Sequence, residues 1–229
     1  MLAPLIAALL GILLGVRHAF EPDHLAAVST LAGDERSVKG GLFLGAVWGL
    51  GHSIALLGVG GSLAAIETQM PVPLANAFEL GVGMMIVGLG LRAIVRAVRE
   101  GRRGRVQSHR HGPVLHTHSA AVSHVHVSRW TLATRPLLVG LVHGLAGSGA
   151  LTALVLAELP TVGARLTYIA LFGAGSMVGM AMLSALCGVP LAKLQRAPRL
   201  MAACLLGIGV LSVCTGAWWT LGAAERLFG

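Results

Sequence analysis

His18-Ala19-Phe20-Glu21-Pro22-Asp23-His24 is the stretch on which the reading of this chain turns. Two imidazoles, two carboxylates and a proline fall within seven residues, and they interrupt an apolar run that starts at Leu2 and resumes at Leu25. Ionisable side chains at membrane depth are costly, and they mark sites or pathways. On an unbroken helix His18, Asp23 and His24 would point in separate directions and could not share one ion. Pro22 has no N–H for the His18 carbonyl and its ring crowds that carbonyl, so the first helix is expected to break at Pro22. A break can turn both imidazoles and Asp23 inward and leave a bare carbonyl beside them, as discontinuous helices do when they build ion sites. Neutral imidazole suits nickel, cobalt, zinc and copper, whereas magnesium or calcium would want oxygen. The plainer alternative is a polar kink whose histidines hydrogen-bond to neighbouring spans.

The rest of the chain is built for hydrocarbon. Its 229 residues are 55% hydrophobic and 11% charged, too apolar for an ordinary soluble domain. The net charge of +8 does not point to nucleic acid, because the basic residues cluster between apolar segments, where membrane topology explains them. Six such segments are long enough to span, at 2–32, 40–66, 72–95, 131–158, 162–189 and 199–221. The fold class expected is an all-α membrane protein with six transmembrane helices. Residues 1–98 form a first three-helix unit, 99–130 a basic, His-rich cytoplasmic loop, and 131–229 a second three-helix unit. The N-terminal run lacks a basic start and a small-residue cleavage site, so it reads as a retained first span. Cys187, Cys204 and Cys214 lie in apolar runs without metal-ligand spacing and read as buried free thiols.

Fourteen Lys and Arg flank the loops after spans one, three and five, while Arg165 and Arg226 alone lie on the opposite side. The positive-inside rule places the long loop in the cytoplasm and both termini outside, in a multi-pass protein of the inner (plasma) membrane. Trp218 and Trp219 fall at a span end, as an aromatic belt would. The halves also resemble each other. Gly15-Val-Arg-His18 matches Gly140-Leu-Val-His143, Pro22-Asp23-His24 falls opposite Gly147-Ser148-Gly149, and Gly49-Leu-Gly51-His52-Ser53 falls opposite Gly173-Ala-Gly175-Ser176-Met177. Three spans per half invert the second relative to the first, so the expectation is a 3+3 inverted repeat with helices interrupted at matching positions and the site at the interface of the repeats. Gly11/Gly15, Gly41/Gly45, Gly45/Gly49 and Gly175/Gly179 stand four apart, a spacing that lets helices approach closely.

Further polar residues share the depth of the first motif. His52 lies about 18 Å into span two at 1.5 Å per residue, and His143 enters span four to a similar depth. His52 is read as a further ligand, and His143 with Ser148 as a second-half site. Glu79, at the start of span three, reads first as a residue nearer the outer surface, with a pathway role as the alternative. The loop carries His109-Arg-His111, His116-Thr-His118 and His124-Val-His126, pairs that can gather a borderline divalent ion without a fixed fold.

These residues resemble a known family. His18 through His24 is similar to the H-x-x-x-x-D-H signature of the nickel/cobalt transporters, and Gly51-His52-Ser53 to their G-H-S/T element. Gly140 through Leu151 resembles the second-half motif of the branch of urease-accessory nickel-transport membrane proteins. The resemblance covers nearly the whole chain, with Glu21-Pro22 where the family commonly has Asp-Ala. It implies that His18, Asp23 and His24 bind the metal in transit and that His52 assists. It also implies a carrier of Ni²⁺ or Co²⁺, with no permanently bound cofactor and no enzymatic activity. Uptake supplying a nickel enzyme is the expected direction, with metallochaperones or nickel-enzyme maturation proteins as partners; efflux by the same fold is the alternative. An intramembrane metallohydrolase is disfavoured, since no H-E-x-x-H occurs and no general base stands apart from the ligands. A metal-sensing or accessory protein whose spans only anchor the loop is the third class.

Overall fold

The structure is a computed structural model that describes residues 2–32, 37–103, 129–194 and 197–229. Among these residues every regular element is helical: α1 (Leu2–His18), α2 (Pro22–Ala32), α3 (Val38–Ala55), a π-helical turn (Leu56–Gly60), α4 (Gly61–Ala65), α5 (Val72–Arg103), α6 (Arg129–Glu158), α7 (Val162–Leu194) and α8 (Pro198–Phe228). Five helical stretches are long and apolar enough to cross a membrane: Val38–Ala65, Val72–Gly101, Ala133–Glu158, Val162–Pro190 and Arg199–Phe228. Ala8–His18 is a shorter apolar helix. Leu13, Leu50, Met84, Leu138, Val178 and Leu211 are among many large apolar side chains on the outer surface, where hydrocarbon is the natural solvent.

The break at the first motif is present, and its geometry differs in one respect from expectation. α1 ends at His18, and Pro22 is the first residue of α2, a position where a missing N–H costs nothing. The His18 carbonyl is not bare, because Glu21 N–H donates to it at 3.0 Å in a tight turn. The matching interruption in the second half is absent: α6 runs unbroken through Gly147-Ser148-Gly149. Glycine weakens a helix but keeps the N–H that proline lacks, so the ladder continues.

Helix seams rest on glycine. A Cβ at Gly140 would collide with the Trp48 carbonyl oxygen and lie 2.9 Å from His52 N. One at Gly15 would collide with the Phe172 carbonyl oxygen and lie 2.8 Å from Ser176 N. Gly51 likewise abuts the Leu137 carbonyl, and Gly175 that of Ile12. On the α5–α8 seam Gly90 lies against the Gly209 carbonyl and Val213, and Gly216 against the Gly83 carbonyl and Val87, each within 2.8 to 2.9 Å of an added Cβ. Such contacts let backbones touch, which is the means of association open to apolar helices in lipid.

These seams define the architecture. α3 and α7 cross at the centre, α1 packs on α7, α6 packs on α3, and the α5–α8 pair closes against α2 and α6. Gly140 beside Trp48 and Gly60 beside Thr152 make α3 and α6 parallel, whereas Gly49 beside Met177 and Gly173 beside Ser53 make α7 antiparallel to α3. Two faces follow. The turns 66–71 and 159–161 and the end of α8 lie on the first, and the ends of α5 and α7 and the starts of α3, α6 and α8 lie on the second. On the first face Glu67, with φ 55°, is tied by Arg165, whose Nη1 donates to its carboxylate at 2.9 Å and whose Nε donates to the Leu159 carbonyl at 2.8 Å. Cys187 and Cys204 are half-buried, but Cys214 is exposed on the apolar surface, which corrects the expectation of three buried thiols.

Candidate metal centre

The α1–α2 break brings His18, Asp23 and His24 against His52 from α3 and His143 from α6. His24 and His52 are fully buried, and Asp23 and His143 nearly so. Ring centroids of His18 and His24 are 4.5 Å apart, His18 and His52 5.2 Å, His24 and His52 5.4 Å, and His24 and His143 4.1 Å. The ligand atoms of His18, His24 and His52 all lie within 4.8 Å of one another, and so do those of Asp23, His24 and His143. His24 belongs to both groups.

Two carboxylates decide which nitrogens are free. Asp23 lies between two rings, accepting from His24 Nδ1 at 3.1 Å and from His143 Nε2 at 2.6 Å. Glu21 Oε2 lies 3.0 Å from His18 Nδ1. An ionised carboxylate can only accept, so each facing nitrogen carries the proton and, in a neutral ring, the other nitrogen holds the lone pair. Those remaining atoms, His18 Nε2, His24 Nε2 and His143 Nδ1, are buried without a protein partner, as are both nitrogens of His52. A buried polar atom left unpaired costs about 1–3 kcal/mol. With one lone pair per neutral ring, the four imidazoles offer up to four donors, and those of His18, His24 and His52 are grouped within 4.8 Å of one another. Imidazole donors with carboxylates behind them form the pattern in which outer carboxylates orient histidines toward a borderline divalent metal.

Access comes from the first face. A cavity of about 310 Å³ reaches the rings between α5, α6 and α8, with Glu21, Glu79, Leu154, Phe172 and Trp219 among its walls. Glu79 sits at its rim and takes a hydrogen bond from Arg226, whose Nε also donates to Asn76 Oδ1 at 3.3 Å. Trp219 therefore lines the cavity, while Trp218 alone of the pair faces outward in the manner of a belt residue. On the far side of the rings the Trp48 indole is fully buried, 5.6 Å from His24 and 6.0 Å from His143.

Of the residues singled out from sequence, His18, Asp23, His24, His52 and His143 meet. Ser148 is buried one turn beyond His143, but its hydroxyl donates to the Leu145 carbonyl of its own helix at 2.6 Å. His109, His111, His116, His118, His124 and His126 lie outside the described residues. Sequence reasoning missed Glu21 as the partner of His18, although its i,i+3 spacing was a signal. It also missed Trp48 and the π-helical turn after His52, which brings Leu56 to the cavity wall. π turns interrupt helices at functional sites more often than elsewhere, yet nothing in an apolar run of this kind announces one.

A buried set of histidines at the centre of an all-helical, lipid-facing fold defines a membrane protein that handles a divalent metal ion. The profile of the NicO family, described as high-affinity nickel-transport protein, matches residues 5–215, and the chain belongs to that family. It is 30% identical over 227 residues to the urease accessory protein UreH of Bacillus sp. (strain TB-90), covering 96% of this chain and 93% of that protein. No solved structure gives a significant match. The protein is a nickel transporter and not an enzyme.

Proposed function

We propose that the chain carries Ni²⁺, with Co²⁺ as the alternative cargo, on the Nε2 atoms of His18 and His24 and a ring nitrogen of His52, with His143 as a fourth donor. The observation that carries this reading is the buried group of His18, His24 and His52, whose ligand atoms lie within 4.8 Å of one another and whose free ring nitrogens have no protein partner. First-row metal–imidazole bonds are about 2.0–2.1 Å, so ligand atoms that lie within 4.8 Å of one another would draw closer together to share one ion. Asp23 and Glu21 hold the rings and offset the charge of the dication. Glu79 lies on the way in.

Transport then follows from alternating access of two inverted three-span halves, 1–98 and 131–229, with six spans in all. Reciprocal contacts support the repeat: Gly140 meets Trp48 and His52 as Gly15 meets Phe172 and Ser176, and Gly90 meets Gly209 and Val213 as Gly216 meets Gly83 and Val87. Each pair is the other with the halves exchanged, at offsets of 124 to 126 residues.

The basic asymmetry favours a plasma-membrane protein with the first face and both termini outside, and residues 99–130 in the cytoplasm, where the His-rich loop would receive the ion. The cavity is then open to the outside. That arrangement and the likeness to a urease accessory protein favour uptake that feeds the maturation of a nickel enzyme. Purified protein in liposomes tests the reading: the parent takes up radiolabelled nickel, whereas His18→Ala and His24→Ala do not. Uptake by His24→Ala at the parental rate would overturn this site.

A further inference from the structure

We propose that nickel leaves the site by a route that is the image of the open cavity under exchange of the halves, and that Trp48 is the side chain closing it. This inference rests on the transport reading above and adds the exit route and its gate.

The open cavity supplies the template. Its walls include Leu154, Phe172, Glu79 and Trp219. At the offsets set by the glycine seams, Leu154 corresponds to Ser29, Phe172 to Trp48, Glu79 to Leu205 and Trp219 to Ala93. The correspondence extends to the rings: Phe172 stands 5.3 Å from His18, and Trp48 stands 6.0 Å from His143, the residue matching His18. One aromatic side chain therefore flanks the histidines on each side.

The two sides differ in packing. Phe172 borders the cavity, whereas Trp48 is sealed in a cluster with Ala27, Val28, Met180 and Leu183. Glu79 and Trp219 are partly exposed; Leu205 and Ala93 are buried. A shallow recess of about 10 Å³ already lies at the matching place on the second face, lined by Thr30, Ala93 and Leu205 together with Arg92 and Arg96. A volume of 10 Å³ against 310 Å³ is what one closed and one open end of a single pathway would give. The Trp48 Nε1 atom, buried without a partner, costs something in the closed state and gains a water when the route opens.

Sided cysteine labelling tests the route. Cys187, Cys204 and Cys214 are first replaced by alanine, and Leu154→Cys or Ala93→Cys is added as a reporter. Both are probed in oriented proteoliposomes with an impermeant cationic thiol reagent. Leu154→Cys should react from the first face at rest and slow at least fivefold with nickel. Ala93→Cys should be inert from both faces at rest and react from the second face while nickel is being taken up. Adding Trp48→Ala should make Ala93→Cys react at rest at least tenfold faster, and Trp48→Phe should fall between. Measured nickel uptake with Ala93→Cys inert from the second face would overturn the route but leave the transport reading standing. Ala93→Cys reacting during uptake but unchanged by either Trp48 substitution would overturn the assignment of Trp48. A reporter protein that folds yet moves no nickel, when the parent moves none either, would overturn the transport reading and the route with it.

Discussion

Asp23→Asn separates the two ways in which the carboxylate at the centre of the site could act. Asp23 accepts from His24 Nδ1 at 3.1 Å and from His143 Nε2 at 2.6 Å, so one side chain orients rings from two helices. Asparagine has the same shape. Its carbonyl keeps the His24 bond, and its amide can donate to His143 Nε2 once that ring carries its proton on Nδ1, which takes His143 out of the donor set and leaves His18, His24 and His52. The rings stay where they are, and the charge behind them is removed. Loss of an outer carboxylate of this kind weakens metal binding by about 10–100-fold, which is about 1.4 to 2.7 kcal/mol. Alanine goes further, leaving two buried ring N–H groups unpaired at about 1–3 kcal/mol each. The assay is a concentration series of radiolabelled nickel uptake in proteoliposomes, with calorimetry of nickel binding to the purified protein. The asparagine variant should need ten to a hundred times more nickel for half-maximal uptake with its maximal rate little changed, and the alanine variant should carry none. An asparagine variant as inactive as the alanine one would mean that Asp23 binds the ion directly. Parental affinity would mean that it neither binds nor orients, and the tautomer argument would fail.

Three further perturbations follow from the same geometry. Pro22→Ala supplies an N–H that competes with Glu21 for the His18 carbonyl, so α1 and α2 should tend to merge and uptake should fall at normal protein levels; unchanged uptake would make the break incidental. Gly147→Ala places a methyl 3.9 Å from His18 Nε2 and 3.9 Å from His52 Cε1, with no collision against the protein, so nickel affinity should drop while thermal stability in detergent holds. Deletion of 109–126 should leave the intramembrane site intact and alter retention or the response at low nickel alone, whereas loss of all uptake would transfer the essential binding to the loop.

The sequence disclosed the first half of the site because its chemistry is local. A proline beside two imidazoles and a carboxylate in an apolar run admits few readings, and the break between His18 and Pro22 came out where expected. His52 and His143 could be flagged by depth, but their meeting depends on how closely α3 and α6 approach, which Gly51, Gly140 and Gly144 control. Glycine in a membrane helix signals closeness without naming the partner. The same ambiguity produced the error at Gly147-Ser148-Gly149, where a flexible sequence was expected to interrupt α6 and instead lies within an intact helix beside His18. Burial on the inner side was illegible for another reason. Trp48 and Trp219 are both aromatic residues in apolar spans, and packing alone makes one a fully buried core residue and the other a cavity wall.

The proposed repeat explains why a nearly symmetric set of helices can hold an asymmetric site. Exchange of the halves carries His18 onto His143 but carries Asp23, His24 and His52 onto Ser148, Gly149 and Ser176, so the first half supplies three of the four imidazoles. Ser176 is buried with its hydroxyl unpartnered, and its backbone N lies against Gly15. Ser148, Gly149 and Ser176 carry no imidazole, so the image positions do not repeat the histidine set. The shared features are the glycine seams, which any two conformations related by the exchange must both satisfy. The unshared ones are the proposed ligands, which need to meet the ion once. Under the proposed repeat a carrier can exchange which face is open while its imidazoles stay within reach of one ion, because the walls of the pathway, and not the proposed ligands, are what must move.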